Sequence, residues 1–287
     1  MQAILFALVA FFGWGIGDIF GTITTRKIGS YSTTFWYLVF ALIVEGFYAL
    51  TVLDQLKNFT PSLLIFTFAV GAVGTAGLVT FYEALKEGNA ALVGTICGSF
   101  AAISVPLSIV FLKESITLIQ LISIIVIFAG VILTSIELEN LKQRKIITTR
   151  GTLLAVITMI AFGIYWAFIK VPIVQVGWFW PGYIASTPSL LIPVFLWLKK
   201  TKITRPNYKG ALSPLILNSI LLPMGAFSLN FALQKGSSPI VTPIAGAYPV
   251  LFVLLAFFIF KDPITRQQIS GIAITLIGII LLSIFSV

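Results

Sequence analysis

Two carboxylates, Asp18 and Glu45, stand inside long apolar segments of this sequence. Asp18 follows Trp14 by four residues, which places an indole ring and a carboxylate side by side on a helix. This arrangement suits an organic cation, through cation–π attraction and through charge. A carboxylate at membrane depth is costly unless it is paired, protonated or functional. Asp18 and Glu45 are therefore candidates for binding a cation and for carrying a proton, the alternative being a bond to a neighbouring helix.

A later apolar segment contains a similar pattern, an aromatic residue followed four residues later by a charged one. Tyr165 and Trp166 are followed, four residues after the tryptophan, by Lys170. Lys170 could meet Asp18 across a cavity, as a structural ion pair or a gate. Alternatively, it lies near a helix end and extends to the membrane surface.

Four further polar residues are weaker candidates. Tyr82 ends an apolar segment and is either a binding or an interfacial residue. Asn230 could bond a polar ligand or hold two helices together. Glu114 and Asp262 each follow a lysine in a tight turn, which indicates helix N-terminal caps or local ion pairs. The predicted binding residues are Trp14, Asp18, Glu45, Tyr82, Tyr165, Trp166, Lys170 and Asn230.

The residue types that are missing exclude several chemistries. The chain has no histidine and one cysteine, Cys97, which disfavours a zinc site or a membrane-embedded enzyme. It has no GxxxxGK[ST] loop for ATP, so primary pumping is not expected. We expect no catalytic residues, no metal and no cofactor.

The composition predicts a membrane protein. Only 9% of the 287 residues are charged and 59% are hydrophobic, whereas about a quarter of a soluble domain is charged. The mean hydropathy is +1.08. The net charge of +9 comes from basic residues scattered over short loops, which does not indicate a nucleic-acid partner. The expected partners are the lipid bilayer and a small molecule; the oligomeric state is left open.

Polar, glycine and proline residues divide the chain into ten predicted membrane spans. The first is interpreted as a retained span and not as a signal peptide. The polar segment 137–150 is predicted to link two halves, 1–136 and 151–287. The predicted spans cover 3–25, 33–53, 62–85, 89–112, 117–136, 151–173, 178–198, 209–233, 238–260 and 266–286.

The two halves are related in sequence. A shift of 148 residues aligns 82–136 with 230–284 without a gap, with about eighteen identities over roughly fifty-five positions. The matches include Gly130 with Gly278. Because each half has an odd number of spans, the second must cross the membrane in the opposite orientation. Inverted repeats are typical of secondary transporters, whose substrate site lies between the halves at the midplane.

The repeated pattern, A-L-x-x-G, an apolar helix, K-[ED], I-T and a late glycine, covers Ala84–Gly130 and Ala232–Gly278. It resembles the repeat of the drug/metabolite transporter superfamily, in its EamA-like branch. Pro249 matches a proline often found in the fourth helix of a repeat, whereas the first half has Ala101 there. The resemblance implies an all-α integral membrane fold of ten transmembrane helices, as two inverted five-helix repeats around a central cavity with alternating access. It does not fix the substrate.

The loop charges predict the orientation in the membrane. Odd-numbered connections carry about fourteen lysines and arginines and even-numbered connections about four. This bias predicts odd connections in the cytoplasm and both termini outside, although many members of the resembled family are described with both termini inside. The short loops and the lack of a transit segment favour a prokaryotic plasma (inner) membrane.

Taken together, these features predict a secondary-active transporter of a small organic solute. Acidic groups outnumber basic ones within the spans, which favours a cation such as a quaternary amine, or an amino-acid-like zwitterion held between Asp18 and Lys170. Asp18 or Glu45 could carry a coupling proton. The alternatives are a sugar, nucleoside or drug exporter of the same fold, or a lipid flippase.

Overall fold

The computed structural model describes residues 1–87, 90–135, 150–261 and 264–286. Within these residues, nine helices are long and apolar enough to cross a membrane, and a tenth, Leu118–Thr134, is shorter. The helices are α1 (Gln2–Ile28), α2 (Ser30–Ala49), α3 (Pro61–Glu87), α4a (Ala90–Gly98), α4b (Ala101–Phe111), α5 (Leu118–Ser135), α6a (Arg150–Phe168), α6b (Lys170–Val176), α7a (Phe179–Ser186), α7b (Leu191–Leu198), α8 (Leu212–Lys235), α9a (Ser238–Gly246), α9b (Tyr248–Phe260) and α10 (Arg266–Ile284).

Four spans, α4, α6, α7 and α9, are interrupted within the described residues, which the sequence analysis did not predict. Proline accounts for the break in α6, because Pro172 has no N–H to bond the carbonyl of Phe168, where α6a ends. In α7 a 3₁₀ turn containing Pro188 joins the two pieces. Pro188 has no N–H to bond the carbonyl of Ile184, four residues earlier. The hydroxyl of Thr187 donates to that carbonyl instead, at 2.7 Å.

The longest helices pack as antiparallel pairs across the two halves. Along α1, Gly13 lies against Gly225 of α8 and Gly21 lies against Asn218, so the two helices run in opposite directions. An added Cβ on Gly13 would lie 3.1 Å from the Cα of Gly225. The small residues therefore let the two backbones approach closely, as in other membrane helix pairs. The helices α3, from the first half, and α6a, from the second half, form the symmetry-equivalent pair.

The contact between α5 and α10 shows the inverted relationship directly. Gly130 of α5 faces Thr275, and Gly278 of α10 faces Ile127. The shift of 148 residues that maps Gly130 onto Gly278 also maps Ile127 onto Thr275. Each contact is therefore the image of the other under exchange of the two antiparallel helices, as a pseudo-twofold axis between them requires.

The two equivalent helices also begin in the same way. At the start of α10, the Thr265 hydroxyl accepts from the backbone N–H of Gln268, and the Gln268 side chain accepts from that of Thr265. Thr117 and Gln120 make the same two bonds before α5. This capping box satisfies two backbone N–H groups that a helix start leaves free.

The fold class predicted from sequence is confirmed: the described chain is an all-helical bundle of nine or ten membrane-length spans that fits two repeats. Most of the predicted linker, 137–150, lies outside the described residues, so its structure stays a prediction. Asp262 also lies outside them.

The two ends of the bundle differ. The N-terminal end carries Met1, Ser286 and the turn at Gly236, which border one cavity. The basic end carries Lys27, whose ammonium donates to the carbonyl of Gly210 at 3.0 Å.

Candidate functional site

The centre of the bundle is the point where α4 and α9 cross. A Cβ added to Gly246 would lie 2.8 Å from the carbonyl oxygen of Gly98, and one added to Gly98 would lie 3.2 Å from that of Gly246. These glycines are equivalent under the 148-residue shift, so the crossing lies on the pseudo-twofold axis. Both helices are interrupted immediately after it. Discontinuous helices at a repeat interface are typical of substrate sites in transporters.

Aromatic side chains surround this crossing. The ring of Trp14 lies 5.5 Å from that of Trp166, 5.6 Å from Tyr248 and 6.1 Å from Phe100, between centroids. Its indole N–H donates to the carbonyl of Leu222 at 3.2 Å, which fixes the orientation of the ring. We call the following residues the central aromatic cluster: Trp14, Phe100, Tyr165, Trp166 and Tyr248.

The cluster follows the repeat symmetry. Phe100 and Tyr248 are equivalent under the 148-residue shift. Trp14 packs on Gly225, and Tyr165 packs on Gly74 in the other half; a Cβ added to either glycine would lie 2.6 or 2.7 Å from the ring. A shift of 151 residues relates both members of these two pairs. Both halves therefore contribute aromatic side chains to the centre by the same packing.

Asp18 lies one helical turn from Trp14, beside the same crossing. Its carboxylate is near enough for its charge to act on Tyr248 and on Cys97. The side chain is only partly buried. Thr22 donates to the backbone carbonyl of Asp18, and no side chain in the described part of the chain donates to its carboxylate. Asp18 is therefore an acceptor available to a ligand.

Lys170 is paired elsewhere. Its ammonium forms an ion pair with Glu114 and donates to the carbonyl of Gly236 at 2.6 Å. Glu114 in turn accepts from the backbone N–H of Ser238, at 3.2 and 3.1 Å. The structure thus joins Lys170 to the N-terminal end of the bundle and does not bring it to Asp18.

Of the two roles predicted for Glu114, the structure shows the cap at a helix N-terminus and not the ion pair with the adjacent lysine. Glu114 caps the start of α9a, a helix of the other half, and its cation comes from α6 and not from the adjacent Lys113. A carboxylate is stabilising at a helix N-terminus, where backbone N–H groups are free. We call Lys170, Glu114, Gly236 and Ser238 the N-terminal latch.

Glu45 and Asn230 are also interior residues. One carboxylate oxygen of Glu45, Oε2, is enclosed and has no hydrogen-bond partner among the described residues. Asn230 is 1% exposed, and its Oδ1 likewise has none. The Asn230 amide lies against Gly182 of α7a, where an added Cβ would be 2.3 Å from Nδ2. Tyr82 lies within α3, but its side chain is outside the described part of the structure.

Sequence reasoning missed Phe100 and Tyr248. The signal was present, because the gap-free alignment of the halves pairs these two aromatic residues. The pair does not stand out in the sequence, because one member is a phenylalanine and the chain contains 25 phenylalanines. Without the fold, its position beside Trp14 could not be distinguished from that of a lipid-facing ring.

A cavity of about 440 Å³ opens at the N-terminal end. Lys235, Ser237 and Ser286 contribute polar groups to its wall, and Gly236 belongs both to this wall and to the latch. The predicted central cavity stays a prediction.

Comparison with known proteins agrees with this architecture. A solved crystal structure of a protein superimposes with a TM-score of 0.78, covering 99% of this chain and 97% of that one at 14% identity, which shows the shared fold. An uncharacterized protein of Methanocaldococcus jannaschii is 35% identical over 101 residues, covering 35% of this chain and 73% of that protein.

The family comparison is more informative. The EamA-like transporter family matches residues 1–136 and 149–284, nearly the whole chain and in two consecutive copies. This match agrees with the resemblance to drug/metabolite transporters, and members of the family are transporters and not enzymes. The chain is a multi-pass membrane protein that belongs to the EamA-like transporter family.

Proposed function

We infer that the protein is a secondary-active transporter that carries a small organic cation, or an amino-acid-like zwitterion, across the membrane by alternating access. The observation that carries this proposal is Asp18. It is a carboxylate with no described hydrogen-bond donor, and it lies near the pseudo-twofold axis beside the central aromatic cluster.

The chemistry of this site matches a quaternary or protonated amine. The positive charge of such a ligand can pair with the carboxylate of Asp18, which has no cationic partner among the described residues. The alkyl groups of the ligand can lie against the rings of Trp14 and Tyr248. Cation–π attraction contributes about 0.5–2 kcal/mol for each ring, more where water is excluded. Trp14 and Tyr248 are both partly buried, so each keeps surface that a ligand could cover.

The position of Lys170 favours a simple cation over a zwitterion. A zwitterion held at Asp18 would need a second, positively charged partner for its carboxylate. The sequence analysis predicted Lys170 as that partner, but its ammonium is already paired with Glu114 and bonded to the carbonyl of Gly236. A zwitterion would therefore have to break the N-terminal latch or rely on neutral donors.

Alternating access is supported by the symmetry of the packing. The contacts of α1 with α8 and of α6a with α3 are equivalent, and the two halves meet at equivalent glycines. A structure of this kind can exchange the conformations of its two halves, so that the site opens to one side and then to the other.

A binding screen tests the proposal. The purified protein is heated with tetraethylammonium, amino acids, sugars or nucleosides, in the wild type and in Asp18→Asn. Asp54→Asn is the matched control, because Asp54 is exposed in the 3₁₀ turn between α2 and α3. We expect amines to raise the melting temperature of the wild type and of Asp54→Asn and to leave Asp18→Asn unchanged.

Uptake into proteoliposomes then separates the alternatives. Stabilisation by sugars or nucleosides alone, unchanged in Asp18→Asn, would refute cation binding and favour an exporter of neutral solutes. Scrambling of labelled lipid without amine uptake would identify a flippase.

The orientation is part of the proposal. We place the basic end in the cytoplasm and both termini outside the plasma membrane, from the bias of the loop charges. Labelling of single cysteines in intact cells, in a Cys97→Ser background, tests it. We expect a reagent added outside the cells to label Thr60→Cys but not Lys202→Cys. The reverse pattern contradicts the assignment.

A further inference from the structure

Glu45 occupies an environment unlike that of Asp18. Both are partly buried acidic residues of membrane spans, but Oε2 of Glu45 is an enclosed oxygen without a hydrogen-bond donor among the described residues, which holds for neither carboxylate oxygen of Asp18. An ionised carboxylate oxygen left unpaired inside a membrane protein is strongly unfavourable. The enclosed oxygen is therefore far better accommodated as a neutral carboxylic acid than as an anion.

Among the residues that the structure describes, no cationic group is recorded in contact with Glu45. Tyr165 of α6a lies within reach of its charge. Of the helices packed on α2, α7a contributes Tyr183, whose hydroxyl oxygen would lie 3.7 Å from a Cβ on Gly46. The remaining charged groups of the helices packed on α2 are Asp18 in the centre of α1, Arg26 and Lys27 in its last turn, and Lys235 in the last turn of α8, where its ammonium lies 5.6 Å from the centroid of the Phe231 ring.

Ring contacts connect Tyr165, the tyrosine within reach of the Glu45 charge, to the proposed cation site. The Tyr165 ring lies 4.9 Å from that of Trp166, which lies 5.5 Å from that of Trp14, between centroids. Trp14 is one helical turn from Asp18. Tyr165 also packs on Gly74, where the missing side chain leaves room for the ring. A change of charge at Glu45 therefore acts on a tyrosine that belongs to the central aromatic cluster.

We propose that Glu45 is the residue that binds and releases the coupling proton, at a site separate from the cation site at Asp18. This assignment rests on the proposed transport function. On one side of the membrane a proton from water forms an O–H bond with the carboxylate of Glu45. On the other side that bond breaks and the proton returns to water, while Asp18 holds the substrate cation in the opposite half of the cycle.

The first test measures binding and proton-driven transport separately. Glu45→Gln mimics the protonated acid and cannot titrate. We expect it to bind tetraethylammonium within about twofold of the wild type and to exchange it across proteoliposome membranes. It should lose the accumulation driven by a pH gradient, which reaches about tenfold for each pH unit when one proton exchanges for one cation.

The matched control is Glu83→Gln. Glu83 is a partly buried carboxylate of α3 that accepts a hydrogen bond from the Tyr31 hydroxyl at 2.9 Å, away from the cluster. This variant should keep both binding and gradient-driven accumulation. Asp18→Asn should lose binding itself, so failure of the cation site and failure of the proton site give different results.

The second test needs no transported substrate. Infrared difference spectra of the wild type, recorded through a pH titration, should contain the carbonyl band of a protonated carboxylic acid that Glu45→Gln removes and Glu83→Gln retains. A titrating band that persists in Glu45→Gln overturns the assignment. Loss of tetraethylammonium binding in Glu45→Gln, or uptake that ignores the pH gradient in the wild type, overturns it as well.

Discussion

The N-terminal latch gives the sharpest prediction of stability. Lys170 comes from the middle of the chain, Glu114 from the first half and Ser238 from the second, and the paired side chains are only 12% and 14% exposed. Removing one partner of a fully buried ion pair costs about 3–5 kcal/mol, because the other charge is left uncompensated. An exposed pair is worth about 0–1 kcal/mol.

Glu114→Gln lies between these limits. The side chains keep some contact with solvent, and the glutamine oxygen can still accept from the N–H of Ser238. We therefore expect a loss of about 2–3 kcal/mol, nearer the buried limit. At about 2–4 °C for each kcal/mol in a chain approaching this size, the melting temperature should fall by about 5–10 °C.

A double-mutant cycle in detergent measures the pair itself. Adding Lys170→Met to Glu114→Gln removes the unpaired ammonium, so the double variant should be more stable than Glu114→Gln alone. The control is Arg150→Gln, which breaks the exposed pair with Glu87 at 3.2 Å, where the arginine is 73% exposed. It should cost less than about 1 kcal/mol. A loss for Glu114→Gln no larger than that of Arg150→Gln, or simple additivity in the cycle, would refute the buried-pair reasoning.

Thermal unfolding of five variants tests three features of the fold: a close helix contact, a strained backbone position and a hydrogen bond between a helix and a loop. Gly130→Ala should destabilise the protein by about 1–3 kcal/mol, because its Cβ would lie 2.5 Å from a backbone nitrogen of α10. The control, Gly94→Ala, places its Cβ where nothing lies within 4 Å, so it should be neutral or stabilise by up to about 1 kcal/mol. Equal losses of stability in the two variants would contradict the close contact at Gly130. Lys261→Gly should stabilise by about 1 kcal/mol, because Lys261 has a left-handed φ of 57° after α9b, and Lys261→Ala, which keeps that strain, should not. Trp36→Phe should cost about 1 kcal/mol, because it removes the 2.9 Å bond to the carbonyl of Thr204, and an unchanged melting temperature would show that this bond contributes nothing.

The sequence predicted the spans well because each follows from local chemistry. The first predicted span, 3–25, is α1 (Gln2–Ile28), and the last, 266–286, is α10 (Arg266–Ile284). Apolar length and polar punctuation decide such segments without knowledge of their neighbours. The breaks within α4, α6, α7 and α9 were missed because a proline or glycine in a membrane helix interrupts it only where the surrounding helices satisfy the freed backbone groups.

The candidate site was only partly predictable. The Trp14 and Asp18 pair could be found from its four-residue spacing, which a helix converts into adjacency. The partner of Lys170 could not be found in this way, because Glu114 is 56 residues away in sequence and a charge interaction depends on distance in space. Phe100 and Tyr248 were visible as a pair in the repeat but not as neighbours of Trp14.

The amino-acid sequence by itself determined that this chain is a membrane protein, that it has about ten spans and that its two halves are related repeats. It could do so because composition, segment length and repeat spacing are properties of the chain alone. The tertiary structure decided which charges are paired and which are left open. It joined Lys170 to Glu114 and left the carboxylates of Asp18 and Glu45 without described hydrogen-bond donors. The physical reason is that ion pairing and burial depend on how the helices of the two halves cross, and that geometry is set by packing contacts between residues far apart in the chain.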